Sequence, residues 1–192
     1  MTKNEAIKVL SDEISSCQGC GLCKKRKKTV PGEGNLMAKV MLIGEGPGHD
    51  EDISGRPFVG PAGQLLTKML ASIGLKREDV YICNIVKCRP PENRIPFSEE
   101  AEACLPYLRR QFAIIRPKIV VCLGATAARY IIDNDIRITR DRGKWYEKGG
   151  IPMIPTYHPS ALLRDESKKK EAWEDLKQIK KRLEELEKEN EQ

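Results

Sequence analysis

VMLIGEGPGHDEDISGRPFVGPAGQLL, residues 40–66, runs from a short apolar strand through a glycine-rich loop into the start of a helix. The apolar run at residues 40–43 has the length of a strand buried in a parallel sheet. Gly44, Gly46 and Gly48 allow the backbone to turn and leave room for another molecule to approach it. The stretch therefore predicts a strand, a ligand-binding loop and a helix within an α/β fold.

The side chains of this loop narrow the class of ligand. The glycines match neither a P-loop nor the G-x-G-x-x-G pattern, and no Lys-Ser or Lys-Thr follows them. The loop holds four acids and one arginine: Glu45, Asp50, Glu51, Asp52 and Arg56. So many acids make a poor dinucleotide pocket, and they are therefore either solvated or part of a site. Phe58, an aromatic residue among glycines, favours a flat, planar ligand.

Length and composition allow one ordinary domain with its own core. The chain has 192 residues, of which 40% are apolar, and it contains no stretch typical of a signal peptide or a membrane span. We therefore expect a soluble, cytoplasmic protein. The net charge is +6, and because the last 28 residues hold eight Lys or Arg and ten acids, the rest of the chain carries about +8. A basic body favours a polyanion such as nucleic acid as partner.

Three further apolar runs, at residues 80–86, 118–124 and 151–156, predict buried strands, the last at a sheet edge because it contains prolines. Helical patterns separate the strands. The helices are expected to cover residues 6–16, 63–72, 98–116 (with Ser98 as the N-cap), 125–132 and part of 165–192, where Trp173, Leu176, Ile179, Leu183 and Leu186 form one apolar stripe. This alternation predicts a three-layer α/β sandwich with a four-stranded parallel sheet. We expect a single domain over residues 1–192, with the C-terminal amphipathic helix docked on it and a hairpin or irregular segment around Trp145 and Tyr146.

The seven cysteines favour metal or redox chemistry over disulfides, because the chain is expected to be cytosolic. Cys17 and Cys20 form a C-x-x-C motif, and Cys88 and Cys104 bracket the entry to one predicted helix. Three segments can thus gather four thiolates, which suit either zinc or an iron–sulfur cluster. Cys83 and Cys122 lie in apolar strands and are expected to be buried free thiols. Cys23 is either a fifth nearby thiol or an alternative ligand.

A second group of polar and aromatic residues follows the predicted strands: Glu45, Phe58, Asn84 and His158. The carboxyl ends of parallel strands meet at one edge of a sheet, where such folds place their sites. The carboxamide of Asn84 offers a donor beside an acceptor, which suits the edge of a pyrimidine. His158, in a loop before a proline, is either incidental or functional. The apolar residues 161–163 that follow it either pack inside or insert into a duplex as a wedge.

The basic run at residues 24–28, KKRKK, lies beside the C-x-x-C motif. Such a run is either a solvated face or a set of phosphate contacts. Its place next to the predicted ligand loop favours phosphate.

Three segments, GEGPGHDEDISGRPFVGPAGQLL, NIVKCRPPENR and HPSALLR, together with the C-x-x-C motif and Cys104, closely resemble the iron–sulfur (family 4) uracil-DNA glycosylases. The resemblance covers about residues 17–164. It implies the uracil-DNA glycosylase fold, a structural [4Fe–4S] cluster and monofunctional excision of uracil from single- and double-stranded DNA. Such an enzyme hydrolyses the N-glycosidic bond and leaves an abasic site for base excision repair.

The resemblance also implies roles for individual residues. The cluster ligands would be Cys17, Cys20, Cys88 and Cys104. Phe58 would stack on the extruded uracil, Asn84 would pair with its N3–H and O4, and His158 would hydrogen-bond its O2. Glu45 would orient or activate the water, or stabilise the cationic sugar, and Glu51 would lie against the uracil C5. The remaining substrate-binding residues would be Gly44 and Gly46, the latter in place of the aspartate that better-known uracil glycosylases use for the water.

For the DNA around the uracil, the resemblance implies a wedge at Leu162 and phosphate contacts from Arg164, Lys87 and Arg89. A replication clamp is a candidate protein partner, no membrane contact is expected, and the chain is expected to be a monomer. A competing hypothesis from a different class is a metal-stapled nucleic-acid-binding module without catalysis, in which the acids and His158 are solvated loop residues.

Overall fold

The computed structural model describes residues 1–189, so the last three residues of the predicted domain, 190–192, lie outside the described residues. One sheet has helices on both of its faces. The strands are β1 (Glu33–Gly34), β2 (Val40–Gly44), β3 (Tyr81–Asn84), β4 (Ile119–Leu123), β5 (Tyr146–Lys148) and β6 (Ile151–Thr156). The α-helices are α1 (Lys3–Ser16), α2 (His49–Ser54), α3 (Pro61–Ser72), α4 (Ser98–Ile115), α5 (Ala125–Ile131), α6 (Ile138–Asp141), α7 (Pro159–Arg164) and α8 (Lys169–Glu189). No helix within residues 1–189 is long and apolar enough to cross a membrane.

The sheet order is β1-β3-β2-β4-β6-β5. The four central strands are parallel, while β1 and β5 pair antiparallel at the two edges. The predicted α/β class and the four parallel strands are therefore confirmed. The sequence analysis missed β1 because two residues are too short to show a pattern. Strand β5 lies in the segment where a hairpin or irregular structure was expected.

The prediction that the strand at residues 151–156 lies at an edge is wrong, because β5 pairs with β6 on its outer side. Prolines are tolerated there because they lose only the N–H and keep the carbonyl. Pro155, which lies opposite Cys122 of β4, accepts a hydrogen bond from the N–H of Gly143 (2.8 Å).

Both faces of the central strands are buried in hydrophobic cores, as is typical of parallel sheets. All five residues of β2 are buried. Met41 and Ile43 face the core beneath α1, α4 and α5, whereas Val40 and Leu42 face the core beneath α3 and α8. The loops that follow the strands therefore emerge from a rigid sheet.

Helix α8 docks on the sheet through a buried carboxylate. Asp175 accepts hydrogen bonds from Thr156 Oγ1 (2.6 Å) and from a guanidinium nitrogen of Arg142 (2.7 Å). Ala172, rather than Trp173, lies in the buried stripe of this helix, and Trp173 stays 39% exposed. The helix thus packs on the sheet, but the placement of Trp173 in its buried stripe is wrong because that residue lies about 100° around the helix from Ala172.

Helix α4 begins at Ser98, with Phe97 at the N-cap position, so the prediction of Ser98 as the N-cap is wrong. The carboxylate of Glu100 accepts a hydrogen bond from the N–H of Phe97 (2.9 Å) and also pairs with Arg94 (2.8 Å). A carboxylate in the first turn thus accepts the hydrogen bond of the backbone N–H at the N-cap of the helix.

Candidate active site

The loops after β2, β3, β4 and β6 surround one cavity of about 680 Å³ at the carboxyl edge of the sheet. Four residues predicted from the sequence line it: Glu45, Phe58, Asn84 and His158. They come from three separate loops or strand ends, and the parallel sheet brings them together.

Asn84 ends β3 and is 1% exposed. Its Oδ1 atom is buried and has no hydrogen-bond partner among the described residues. A Cβ atom at Gly44, the residue beside it in β2, would lie only 2.4 Å from Oδ1, so only glycine leaves room for the carboxamide. An unsatisfied buried acceptor costs about 1–3 kcal/mol. A ligand that donates a hydrogen bond to Asn84 removes this cost.

His158 stands at the N-terminus of α7, and its Nδ1 atom accepts a hydrogen bond from the backbone N–H of Ser160 (3.1 Å) and also contacts Ser160 Oγ (2.7 Å). A nitrogen that accepts from a backbone N–H carries no proton, so the proton of the neutral ring lies on Nε2. Burial, assisted by the positive charge of Arg164, lowers the pKa of His158 to about 4. The ring is therefore a neutral donor at physiological pH.

Phe58 is 6% exposed and has φ of 52°, the left-handed region that aromatic residues rarely adopt. Arg77 holds this backbone by donating to the carbonyls of Phe58 (2.9 Å) and Pro57 (2.7 Å). The ring lies 5.5 Å from that of His158, tilted by 33°. The strained loop thus fixes one wall of the cavity beside the histidine.

Two loop acids bind backbone N–H groups. The Oε1 atom of Glu51 accepts from Val59 and Gly60 (both 2.9 Å), which fixes the loop that carries Phe58. Asp52 accepts from the N–H of Lys27 (2.9 Å) and so anchors the basic run. These acids are therefore neither solvated nor opposed by Arg56, which pairs with Glu33 (2.8 Å).

Glu45 follows β2 and lines the cavity. Burial raises the pKa of its carboxyl group, while a hydrogen bond from Thr126 Oγ1 to Oε2 (2.5 Å) and the charge of Arg164 oppose that shift. A Cβ atom at Gly46 would lie 2.7 Å from Val86 Cγ2, so an aspartate there requires Val86 to move. Glu45 thus presents a carboxylate to the cavity, which Asp50 and Glu51 of the same loop also line.

Two of the predicted DNA contacts are contradicted by burial. Lys87 is 1% exposed, and its amine donates to the carbonyl of Asn84 (2.7 Å) and to Gln111 Oε1 (2.6 Å), so it cannot reach a phosphate. Leu162 is 1% exposed and packs in the core beneath α3 and α8, so it cannot act as a wedge. Its neighbour Leu163 is 47% exposed and lines the cavity.

The other two predicted phosphate contacts remain compatible with the structure. Arg164 is exposed and lines the cavity. Arg89 donates to Asn93 Oδ1 (2.8 Å) and contacts His49 Nδ1 (3.2 Å). Within residues 1–189, neither guanidinium forms a salt bridge with a carboxylate.

Five cysteines line a second, small cavity between α1, α4 and the end of β3: Cys17, Cys20, Cys23, Cys88 and Cys104. A guanidinium nitrogen of Arg26 lies 3.3 Å from Cys88 Sγ. Burial raises the pKa of Cys88 to about 11, so metal binding there must release a proton. Among residues 1–189, no three His, Cys, Asp or Glu side chains are arranged to hold a single metal ion. Cys83 and Cys122 are buried within their strands, as predicted.

The sequence analysis missed three residues that shape or support the cavity: Thr126, Ser160 and Arg77. Leu163 lay within the apolar run 161–163 that it identified, but it was not chosen as the wedge. Thr126 follows the carboxyl end of β4, so the rule that identified Asn84 could have found it. The position of Arg77 gives no such signal, because its contact with Phe58 spans 19 residues of chain.

Comparisons with known proteins agree on one family. A family model described as the uracil DNA glycosylase superfamily matches residues 31–177. The chain is 49% identical to a Type-4 uracil-DNA glycosylase of Thermotoga maritima, over 86% of this chain and 88% of that protein. It is 48% identical to a Type-4 uracil-DNA glycosylase of Archaeoglobus fulgidus, over 91% of this chain and 92% of that protein. A Type-5 uracil-DNA glycosylase of Pyrobaculum aerophilum is 36% identical, over 70% and 67%, respectively.

The buried position of Lys87 generates a prediction. Replacing it in the variant Lys87→Met leaves two buried carbonyl oxygens without their donor, so we expect the free energy of unfolding to fall by about 2 kcal/mol. Urea denaturation measures this, and Lys68→Met, at an exposed position outside the proposed DNA contacts, is the control. If Lys87 contacted a phosphate, Lys87→Met would instead reduce the salt dependence of DNA binding and leave stability unchanged.

Proposed function

This chain belongs to the uracil-DNA glycosylase superfamily, and we propose that its cavity binds a uracil extruded from DNA and hydrolyses the N-glycosidic bond. The observation that carries the proposal is the buried, unsatisfied Oδ1 of Asn84, which shares the cavity with the Phe58 ring and a neutral His158. A planar ring with an N–H donor at its edge satisfies that acceptor. The product is an abasic site, the substrate of the next step in base excision repair.

Recognition rests on Asn84 and Phe58. The Oδ1 atom accepts from the N3–H of uracil while the amide nitrogen donates to O4. Cytosine presents an acceptor and a donor at these two positions, so it mismatches a carboxamide held in this orientation. Phe58 supplies the face on which the base stacks, and Arg77 and Glu51 keep it there. Contact of Glu51 with the uracil C5 stays a prediction.

Departure of the base is assisted by His158. As the glycosidic bond breaks, electrons collect on the uracil and raise the negative charge at O2. The Nε2–H of the neutral ring is directed by the bonds that Ser160 makes to Nδ1, and it donates to O2. A neutral histidine places no positive charge in the empty cavity. Its hydrogen bond to O2 therefore strengthens mainly as negative charge develops on the departing uracil.

Glu45 is the group that we assign to the sugar and the water. Thr126 binds its Oε2 atom, so Oε1 is the oxygen that can orient a water or face the cationic sugar. The raised pKa of its carboxyl group suits a general base. An aspartate at position 46, where better-known uracil glycosylases carry one, would place its Cβ atom 2.7 Å from Val86 Cγ2, so this chain accommodates the acid at position 45 more easily.

We place the DNA across the mouth of this cavity. Leu163, in place of Leu162, is the proposed wedge that fills the gap left by the extruded base, and Arg164 and Arg89 are proposed phosphate contacts. So are the four exposed lysines of residues 24–28, whereas Arg26 in that run binds Cys88 and the carbonyl of Ser15. Action on both single- and double-stranded DNA, a replication clamp as partner, a monomeric state and a cytoplasmic location stay predictions. So does the single domain over residues 1–192, which is supported by the one sheet that both cores share.

We also propose that Cys17, Cys20, Cys88 and Cys104 hold a [4Fe–4S] cluster, with Cys23 as an additional thiol. Four cysteines from three segments line one cavity, and this donor set fits such a cluster. The bound group would fix the segments around residues 17–28 and 88–104, and hydrolysis needs no electron from it.

The decisive test is release of uracil from a uracil-containing oligonucleotide, detected as strand scission after alkali. We expect Asn84→Ala and His158→Ala each to slow single-turnover release by about 100-fold, because each removes a hydrogen bond to the departing base. Asn35→Ala, at an exposed asparagine, is the matched control. DNA affinity should change little in either variant. Full activity in both would refute the assigned roles, and binding without any release by the unmodified protein would favour the non-catalytic module.

The pH dependence separates Glu45 from His158. Single-turnover release should decline as pH falls through the raised pKa of Glu45, while His158, with a pKa of about 4, contributes no titration above about pH 5. Thr126→Val removes the hydrogen bond that lowers the pKa of Glu45, so it should move the decline to higher pH. Glu45→Gln removes the titrating carboxyl group, so it should abolish the decline of the release rate at low pH. An unchanged profile in both variants would exclude Glu45 as the base.

The cluster proposal is tested by iron and sulfide analysis of the purified protein. We expect about four of each per chain and their loss in Cys88→Ser. Cys122→Ser, which removes a buried thiol from β4, should keep them. Zinc in place of iron in protein purified without oxygen would contradict the proposal.

A further inference from the structure

A large apolar side chain stands exposed at the mouth of the cavity and has no role in the reaction described above. Ile95 is 66% exposed, yet it lines the same cavity as Asn84 and His158. It lies in the loop that joins β3 to α4. A single exposed isoleucine is ordinary elsewhere on a protein, but this one adjoins a site for extruded DNA bases.

Ile95 and Leu163 flank the cavity from two sides. The loop that carries Ile95 follows β3, whereas the helix that carries Leu163 follows β6. In the sheet, β2 and β4 lie between β3 and β6, so β3 and β6 are about 14 Å apart. A strand that delivers its base between them therefore meets an apolar side chain on either side.

The loop holds Ile95 in place before any DNA arrives. The guanidinium of Arg94 donates to both carboxylate oxygens of Glu100 (both 2.8 Å) and to the carbonyl of Ile95 (3.1 Å). It also stacks 3.8 Å from the centre of the Phe97 ring. The preceding turn contains two consecutive residues with positive φ, Glu92 (54°) and Asn93 (56°). A local network therefore maintains a strained turn that directs an isoleucine outward.

The surroundings of Ile95 suit a nucleic acid strand. Arg89, at the start of the same loop, donates to Asn93 and contacts His49, so it is not paired with a carboxylate. A cation beside an apolar side chain matches the phosphate and the base face of one nucleotide.

We propose that Ile95 packs against the nucleotide that neighbours the uracil on the same strand, on the side away from Leu163. The two apolar residues then hold both flanking nucleotides while the uracil enters the cavity. This inference rests on the proposed function. Ile95 is a specificity-determining contact that favours extrusion, and it touches neither the uracil nor the bond that breaks.

The test is a cycle of protein and substrate changes. Single-turnover release by the unmodified protein and by Ile95→Ala is measured on three single strands. In one the uracil has two intact neighbours, and in the other two its 5′ or its 3′ neighbour is a tetrahydrofuran residue, which carries no base and resists cleavage by alkali. With intact neighbours, we expect Ile95→Ala to be about tenfold slower, because part of the apolar contact is lost. On one of the two strands that lack a neighbouring base, the release rates of the two proteins should become equal within about twofold, since the base that Ile95 contacts is missing.

Two further variants sharpen the test. Leu163→Ala should also release uracil more slowly when both neighbours are intact, and this defect should disappear on the other strand that lacks a neighbouring base. Met37→Ala, which changes an exposed residue outside the cavity, should behave as the unmodified protein on all three strands. Equal defects of Ile95→Ala on all three strands, or no defect on any of them, would overturn the proposal. Failure of the unmodified protein to release uracil would instead refute the proposed function.

Discussion

The lack of a side chain at Gly44 is the constraint on which the cavity depends. Gly44 pairs with Asn84 in the parallel register of β2 and β3, and a Cβ atom there would lie 2.4 Å from Asn84 Oδ1 and 2.6 Å from Phe58 Cζ. Only glycine therefore allows the carboxamide and the aromatic ring to approach the same strand end. The proposed recognition of the edge of a base by Asn84 and the proposed stacking on its face by Phe58 both depend on this close approach.

Many of the hydrogen bonds around the cavity hold its lining side chains in fixed positions. Glu51 and Arg77 bind backbone groups on either side of Phe58, whose φ of 52° would otherwise relax. Ser160 fixes the tautomer of His158, and Thr126 fixes one oxygen of Glu45. Preorganised donors of this kind act on developing charge without reorganising during the reaction.

The cysteine cavity and the base-binding cavity are joined by Lys87. Its buried amine binds the carbonyl of Asn84 and the side chain of Gln111, and Cys88 is the next residue in the chain. Gln111 in turn donates to the carbonyl of Pro31 (2.7 Å) and to the hydroxyl of Tyr81 (3.1 Å). The end of β3 therefore carries Asn84, the proposed base-recognition residue, and shortly after it Cys88, a proposed cluster ligand, and one hydrogen-bond network supports this segment.

Sequence patterns alone determined the α/β class, the four parallel strands and the grouping of Glu45, Phe58, Asn84 and His158 at one sheet edge, because hydrophobic periodicity and strand ends are local properties. Only the tertiary structure decided which side chains are exposed. Lys87 and Leu162 resembled DNA contacts in the sequence, yet both are buried, while Leu163 and Ile95 stand at the cavity mouth. Exposure depends on what packs against a residue from distant parts of the chain, and a one-residue shift along α7 turns a side chain by about 100° from the solvent to the core.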